Sequence, residues 1–254
     1  MSASLGSLWR RWRNWIIGAV VALVVLFVGG PFVYINFIKE DAPARLTFED
    51  ATTSTAAGSG TTSSTSTSAS TAATGTPTAA NPIEGTWTVT DGSQVGYRVK
   101  EVLFGQSTEA AGRTSDVTGQ VTIAGTTVQA ASFTADMTTV TSDESRRDSQ
   151  FNGRIMNTSE FPEATLTLTQ PIDLGSVPGD LVEVTESATA DLTLRGVTQP
   201  VTFDLKARRN GANLEVNGSI PITFADYGIP NPTTAGITTE DHGELEFLIV
   251  LSKS

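Results

Sequence analysis

The 254-residue chain has no cysteine and a single histidine. Without thiols it can form no disulfide, thiol nucleophile, iron–sulfur cluster or acylated lipoprotein cysteine. With His242 alone, multi-histidine metal sites are excluded, and no metal site is expected. Basic residues are also few, 16 against 27 acidic ones, for a net charge of −11. From residue 83 onward there are 11 basic and 23 acidic side chains, so the acidity belongs to the C-terminal part. Phosphate attraction supplies most nucleic-acid affinity, so such a domain is a poor nucleic-acid partner. There is no phosphate loop, dinucleotide glycine fingerprint or nucleophile elbow. Asp143, Glu144 and Asp148 suit the start of a helix better than a calcium loop. No catalytic residue and no cofactor are assigned.

What the chain does have begins with one apolar run. Trp15 to Ile38 carries no charge, and Asn36 is its only strongly polar residue. A run of this length can cross a hydrocarbon core of ~30 Å as a helix. Arg10, Arg11 and Arg13 precede it, which by the positive-inside rule places the N-terminus in the cytoplasm. The expected organisation is a cytoplasmic segment 1–14, a transmembrane signal anchor 15–38, a disordered Thr/Ser/Ala-rich linker 39–82 and a folded domain 83–254. The chain would then be a single-pass protein of the cell membrane, with its C-terminal domain outside the cytoplasm. The rival reading is a cleaved signal peptide, for which Ala42-Pro43-Ala44 offers a small-x-small site. Between Ala51 and Ala80 nearly every residue is Thr, Ser, Ala or Gly. Such a stretch buries too little apolar surface to offset its ordering entropy, and it reads as a flexible stalk.

From Ile83 onward the period is two. Val117, Val121 and Ile123 share a face; so do Leu166 and Leu168, then Ala188 to Leu194, then Val201, Phe203 and Leu205, then Leu214 and Val216, then Leu245 to Leu251. Their alternate neighbours are mostly Thr, Asp, Glu and Lys, the pattern of antiparallel strands with one wet face. Turn signals such as Arg195-Gly196 separate them, with Asn210-Gly211 the clearest hairpin. Many short strands of this kind make a barrel or a sandwich. One segment departs: Thr141 with Glu144 resembles a capping box, which predicts a short helix from about Ser142 to Phe151.

Inward residues are mostly Val, Leu, Ile, Ala and Gly. An eight-stranded barrel is just wide enough for side chains or one small ligand, so small inward residues leave room for an apolar guest. The alternative is that Phe133, Met137, Phe151, Met156, Phe161, Phe203 and Phe224 fill it as ordinary core. Arg146, Arg147 and Asp148 form either a solvated helix face or a cavity mouth at which an arginine holds a polar head group.

Several stretches, in order, resemble the YceI-like family of extracytoplasmic lipid-binding proteins. They are GTWTVTDGSQVGYRVK, LFGQSTEAAGRTSDVTGQVTI, SDESRRDSQFNGRIMNTSEFPEATLTL, ADLTLRGVTQPVTFDLKA, and IPITFADYGIPNP with GELEFLIVLSKS. The likeness spans Ile83 to Ser254. It implies an all-β, antiparallel, lipocalin-like barrel of about eight strands with one short helix. It also implies non-catalytic binding of a long isoprenoid, quinone or other amphiphilic lipid, and it places Arg147 and Asp148 at the family's Arg-Asp pair.

The expected lipid-binding residues, lining the cavity or its mouth, are therefore Phe133, Met137, Arg147, Asp148, Phe151, Ile155, Met156, Phe161, Leu166, Leu168, Leu192, Phe203, Phe224 and Phe247. The expected protein is a monomer, tethered to the cytoplasmic membrane, that holds one long lipid. Two other classes stay open. One is a lipid-modifying or quinone-linked enzyme using Arg147, Asp148 or His242. The other is a stalk-displayed adhesion module with an inert barrel core.

Overall fold

The computed structural model describes residues 12, 15–17, 19–20, 42–55, 81–103, 105–234 and 236–254. Among them no helix is long and apolar enough to cross a membrane. Most of the expected anchor lies outside the described residues; within it, Trp15, Ile16 and Ile17 are helical and exposed. The chain divides into two compact units, Met1–Ala42 and Pro43–Ser254, and among the described residues every strand lies in the second.

The strands are β1 (Gly85–Val89), β2 (Gln94–Leu103), β3 (Gln106–Thr114), β4 (Val117–Ala124), β5 (Thr127–Asp136), β6 (Thr141–Ser142), β7 (Glu163–Leu168), β8 (Ile172–Asp173), β9 (Val184–Leu194), β10 (Val197–Asn210), β11 (Asn213–Thr223), β12 (Ile237–Thr239) and β13 (His242–Lys253). Eight of them close a ring in the order β1-β4-β5-β7-β9-β10-β11-β13, with β13 returning to β1. Every pairing in the ring is antiparallel. β13 splits its second edge: residues 251–253 pair with β1 and residues 244–248 with β2. The β2–β3 hairpin thus continues the wall beyond β1.

The expected turns form as their residues dictate. Arg195 and Gly196 both take positive φ, 49° and 74°, in the two-residue β9–β10 connection. A two-residue hairpin needs that hand of twist. Gly211 does the same between β10 and β11, with φ 59°.

Alternation carries the core. Ala188, Ala190, Leu192 and Leu194 of β9 and Ile249 and Leu251 of β13 are buried in one cluster with Trp87, Phe151, Phe203, Phe224 and Tyr227. Three inward aromatics lie over glycines directly across a ladder: Tyr97 over Gly112, Phe133 over Gly119 and Phe247 over Gly218. A β-carbon at any of the three would fall 2.6 Å from the ring. The glycines therefore make space for the rings, and the rings cover backbone that a glycine leaves bare.

The helical segment starts later than its sequence suggests. Thr141 and Ser142 are spent as β6, paired with β3. Glu144 is the N-cap, its carboxylate accepting from the Arg146 amide at 3.3 Å. The helix Ser145–Gln150 then widens into one π-helical turn, Phe151–Ile155, which buries Phe151 and delivers Met156 to the core.

The linker expected at 39–82 needs a larger correction. Residues 43–51 are a strap docked on the outer face of β2, β10, β11 and β13, and they run into α1 (Phe48–Thr55). Leu46, Phe48 and Ala51 are buried together with Leu248 and Val250, the outward residues of β13. The barrel also hydrogen-bonds the strap's backbone. Arg98 donates to the Pro43 carbonyl at 2.6 Å, Asn217 to Leu46 at 2.8 Å and Arg208 to Phe48 at 3.3 Å, and Arg113 donates to Ala44. Thr47 opens α1, with Asp50 accepting from its amide at 2.7 Å. That is half of a capping box, and the Thr/Ser-rich composition around it hides it. Residues 56–80 lie outside the described part.

Candidate functional site

Inward parity leaves a set of apolar side chains half-buried rather than sealed. They are Val95, Tyr97 and Val99 of β2, Leu205 of β10, Leu214 and Val216 of β11, and Leu245 and Phe247 of β13. Phe133, Leu166 and Leu168 of β5 and β7 are half-buried against the same core. Phe247 meets Phe203 edge-on at 5.8 Å. Glu186 of β9 lies directly across the ladder from Leu205, and Arg209 of β10 from Leu214, so charged side chains share the inward parity near one end of these strands. The apolar side chains of this lining can meet a hydrocarbon by dispersion and water exclusion.

A polar group sits at one end of this lining. Glu101 is on the same face of β2 as Tyr97 and Val99, and its carboxylate lies 3.7 Å from the Arg147 guanidinium. Arg147 also pairs with Asp143, one helical turn back. Asp148 turns elsewhere, accepting from the Ser142 amide at 2.9 Å and its hydroxyl at 2.6 Å, which ties the helix to β6. Between lining and rim, Tyr97 stacks on Phe151 at 5.1 Å and 12°. Burial pushes its phenol above the ordinary tyrosine value.

The expected residues thus fall into three groups. Phe133, Ile155, Leu166, Leu168 and Phe247 are half-buried against the core, while Met137, Phe151, Met156, Leu192, Phe203 and Phe224 are fully buried in it. Phe161 sits apart, beneath the β9–β10 turn against Gly196 and Arg195. Arg147 and Asp148 are at the polar rim, each with its own partners. Tyr97, Leu205, Leu214, Val216 and Leu245 join the lining although sequence reasoning assigned them no site. The alternation of QVGYRVK, with Tyr97 between Val95 and Val99, is the signal that would have found the tyrosine.

His242 is remote in character from this site. It opens β13 on the outward parity, shared with Glu244 and Glu246. Its side chain is 58% exposed, with Asp241 at 2.9 Å from Nδ1 and Glu240 at 3.2 Å from Nε2. The Asp241 hydrogen bond raises its pKa. Among the described residues no group of His, Asp and Glu could hold a metal ion.

Comparisons place this architecture. Comparison with curated proteins finds no match. Among solved structures, a polyisoprenoid-binding domain from Saccharophagus degradans implicated in plant cell wall breakdown aligns with a TM-score of 0.56 at 18% identity, over 67% of this chain and 99% of that one. BcnA of Burkholderia cenocepacia aligns with a TM-score of 0.50 at 20% identity, over 62% of this chain and 95% of that one. At these identities the likeness is one of fold. Residues 87–251 match the YceI-like domain, so the closed barrel built here belongs to a chain of the YceI-like family.

Proposed function

We propose that the barrel holds one long, largely apolar lipid, a polyisoprenoid, quinone or similar amphiphile, along its inward face and does no chemistry on it. The observation that carries this reading is the set of half-buried apolar side chains shared by β2, β5, β7, β10, β11 and β13. The fold relative from Saccharophagus degradans, a polyisoprenoid-binding domain, supports the ligand class. Each buried methylene contributes ~0.8 kcal/mol, so a long chain gains affinity with few polar contacts. The Glu101–Arg147–Asp143 rim gives a polar head group somewhere to rest, with the chain running past Tyr97. We further propose that the apolar run 15–38 anchors the protein in the cytoplasmic membrane, that the barrel is extracytoplasmic, and that it acts as a monomer.

Titration with polyprenyl alcohols of graded length tests the binding reading. Affinity should climb with carbon number and level off where the barrel is full. Equal and weak affinity at every length would sink it.

A further inference from the structure

We propose that the Tyr227 hydroxyl is a specificity-determining contact inside the barrel, the hydrogen-bond donor for a neutral oxygen on the head of the bound lipid. This rests on the lipid-binding reading above and narrows the guest to a chain whose head carries a hydroxyl, carbonyl or ether oxygen. Among the described residues, the buried side-chain polar atoms without a hydrogen-bond partner are Nε of Arg113, Arg195 and Arg209 and the hydroxyl of Tyr227. Each arginine spends its guanidinium elsewhere. Arg113 reaches Glu246 at 3.2 Å, Arg209 lies 3.8 Å from Asp180, and Arg195 donates to the Gly228 carbonyl. Tyr227 has a single side-chain polar group, and it is unspent, although the residue is only 2% exposed. A buried hydroxyl without a partner is destabilising, and a phenylalanine of the same shape would avoid the loss.

Local structure holds the ring in place. Tyr227 ends the short helical turn Phe224–Tyr227 that follows β11. Gly228 closes the turn at φ 60°, its amide donating back to the Ala225 carbonyl at 3.1 Å. The carbonyls on either side of Tyr227 are both bonded from the β9–β10 hairpin. Gln199 donates to Asp226 at 2.9 Å, and Arg195 donates to Gly228. With both neighbours pinned, Tyr227 is fixed in the buried cluster that also holds Leu192, Phe203 and Ile249 of β9, β10 and β13. The turn borders the lining as well. A β-carbon on Gly243 would lie 2.9 Å from Val99 and 3.4 Å from Phe224. Register puts the turn at the end of the barrel that carries the polar rim. Thr223 pairs with His242 at the start of β13, and Arg98 pairs with Glu244, so Glu101 on β2 lies toward that same end. A head group lodged there has Arg147 on its outer side and Tyr227 toward the core. Burial, and next the Asp226 charge, raises the Tyr227 pKa, so the phenol keeps its proton and can donate it. The oxygen it reaches is neutral, because one hydroxyl does not offset the burial of an ionised phosphate or carboxylate.

The test compares the full chain with its Tyr227→Phe variant against two probes, geranylgeraniol and the same isoprenoid chain without its hydroxyl. The natural chain should bind the alcohol about three- to tenfold more tightly than the hydrocarbon, the usual yield of one hydrogen bond. Tyr227→Phe should lose most of that preference by weakening the alcohol alone. The delipidated variant should unfold at the same temperature as the natural chain or higher, since no partner is lost. A tyrosine with a merely structural role would lower the unfolding temperature and weaken both probes alike, and that result would overturn the proposal. So would an alcohol preference that Tyr227→Phe leaves intact, which would return the head group to Arg147 alone. A natural chain that binds neither probe would instead overturn the lipid-binding reading on which the contact rests.

Discussion

Phe247 stands directly across the β11–β13 ladder from Gly218, and its ring fills the place of the missing side chain. A β-carbon on Gly218 would lie 2.6 Å from the ring edge and 3.1 Å from the Asp204 carbonyl. Phe247 cannot simply swing away, because Phe203 meets it edge-on. Gly218→Ala should therefore destabilise the barrel by about 1–3 kcal/mol, the usual cost of overpacking. Adding Phe247→Leu should recover part of that loss. Urea denaturation of the two single variants and the double variant reads the coupling, and strict additivity would refute it.

A second prediction concerns the covered charges. Glu246 is the carboxylate that Arg98 grips at 2.5 Å, and both are buried. Glu246→Ala leaves the guanidinium with the Pro43 carbonyl at 2.6 Å and one carboxylate, Glu109, at 2.9 Å on the open side. Breaking one partner of a buried pair costs about 3–5 kcal/mol, whereas replacing both by apolar groups is often close to neutral. Arg98→Met with Glu246→Leu should consequently be less damaging than Glu246→Ala. Thermal unfolding of the three proteins checks the order.

The strap should also respond to acid. The Arg45 hydrogen bond holds the Glu244 carboxyl below its ordinary value. A carboxylate depressed in the folded state contributes stability that is present above its unfolded pKa. That contribution is lost as pH falls through the lower folded value. Strap docking should be constant from neutral pH down to about 4.3, the ordinary glutamate value, and weaken below it. Protection of the amides of 43–51, followed by NMR from pH 7 to 3, measures this. Glu244→Gln should remove the part of the pH response that comes from this pair.

How much of this was legible without coordinates follows from period. Strand β9 announces itself because one face meets core and the other mostly meets water. The Asn210-Gly211 and Arg195-Gly196 turns follow from φ that few residues tolerate. The strap was hidden because its two large apolar residues, Leu46 and Phe48, sit next to a low-complexity tract, and composition read over a window dilutes them. Its docking surface was hidden for the complementary reason. Glu246, Leu248 and Val250 lie on the face of β13 that alternation assigns to solvent, and only a distant segment covers them. The rim was half legible. Arg147 and Asp148 stand out in sequence, but their divergence toward Glu101 and Ser142 depends on β2 and β6 arriving beside the helix.

Space inside the barrel can be probed by filling it. Val216 is half-buried on the inward face of β11, opposite Ile249. In a fully packed core, Val216→Trp would cost about 1–3 kcal/mol through overpacking. In a lining that leaves room for a guest it should cost less, and it should shorten the longest polyprenyl chain the barrel accepts. Thermal unfolding and the chain-length titration together test this, and a large stability loss with unchanged chain preference would contradict it.

The most direct test is native mass spectrometry of the compact unit Pro43–Ser254, with organic extraction of whatever accompanies it. The account predicts a discrete added mass, one lipid per barrel, that extraction releases as a long-chain amphiphile. A bare protein mass that stays bare after incubation with membrane extract would contradict it.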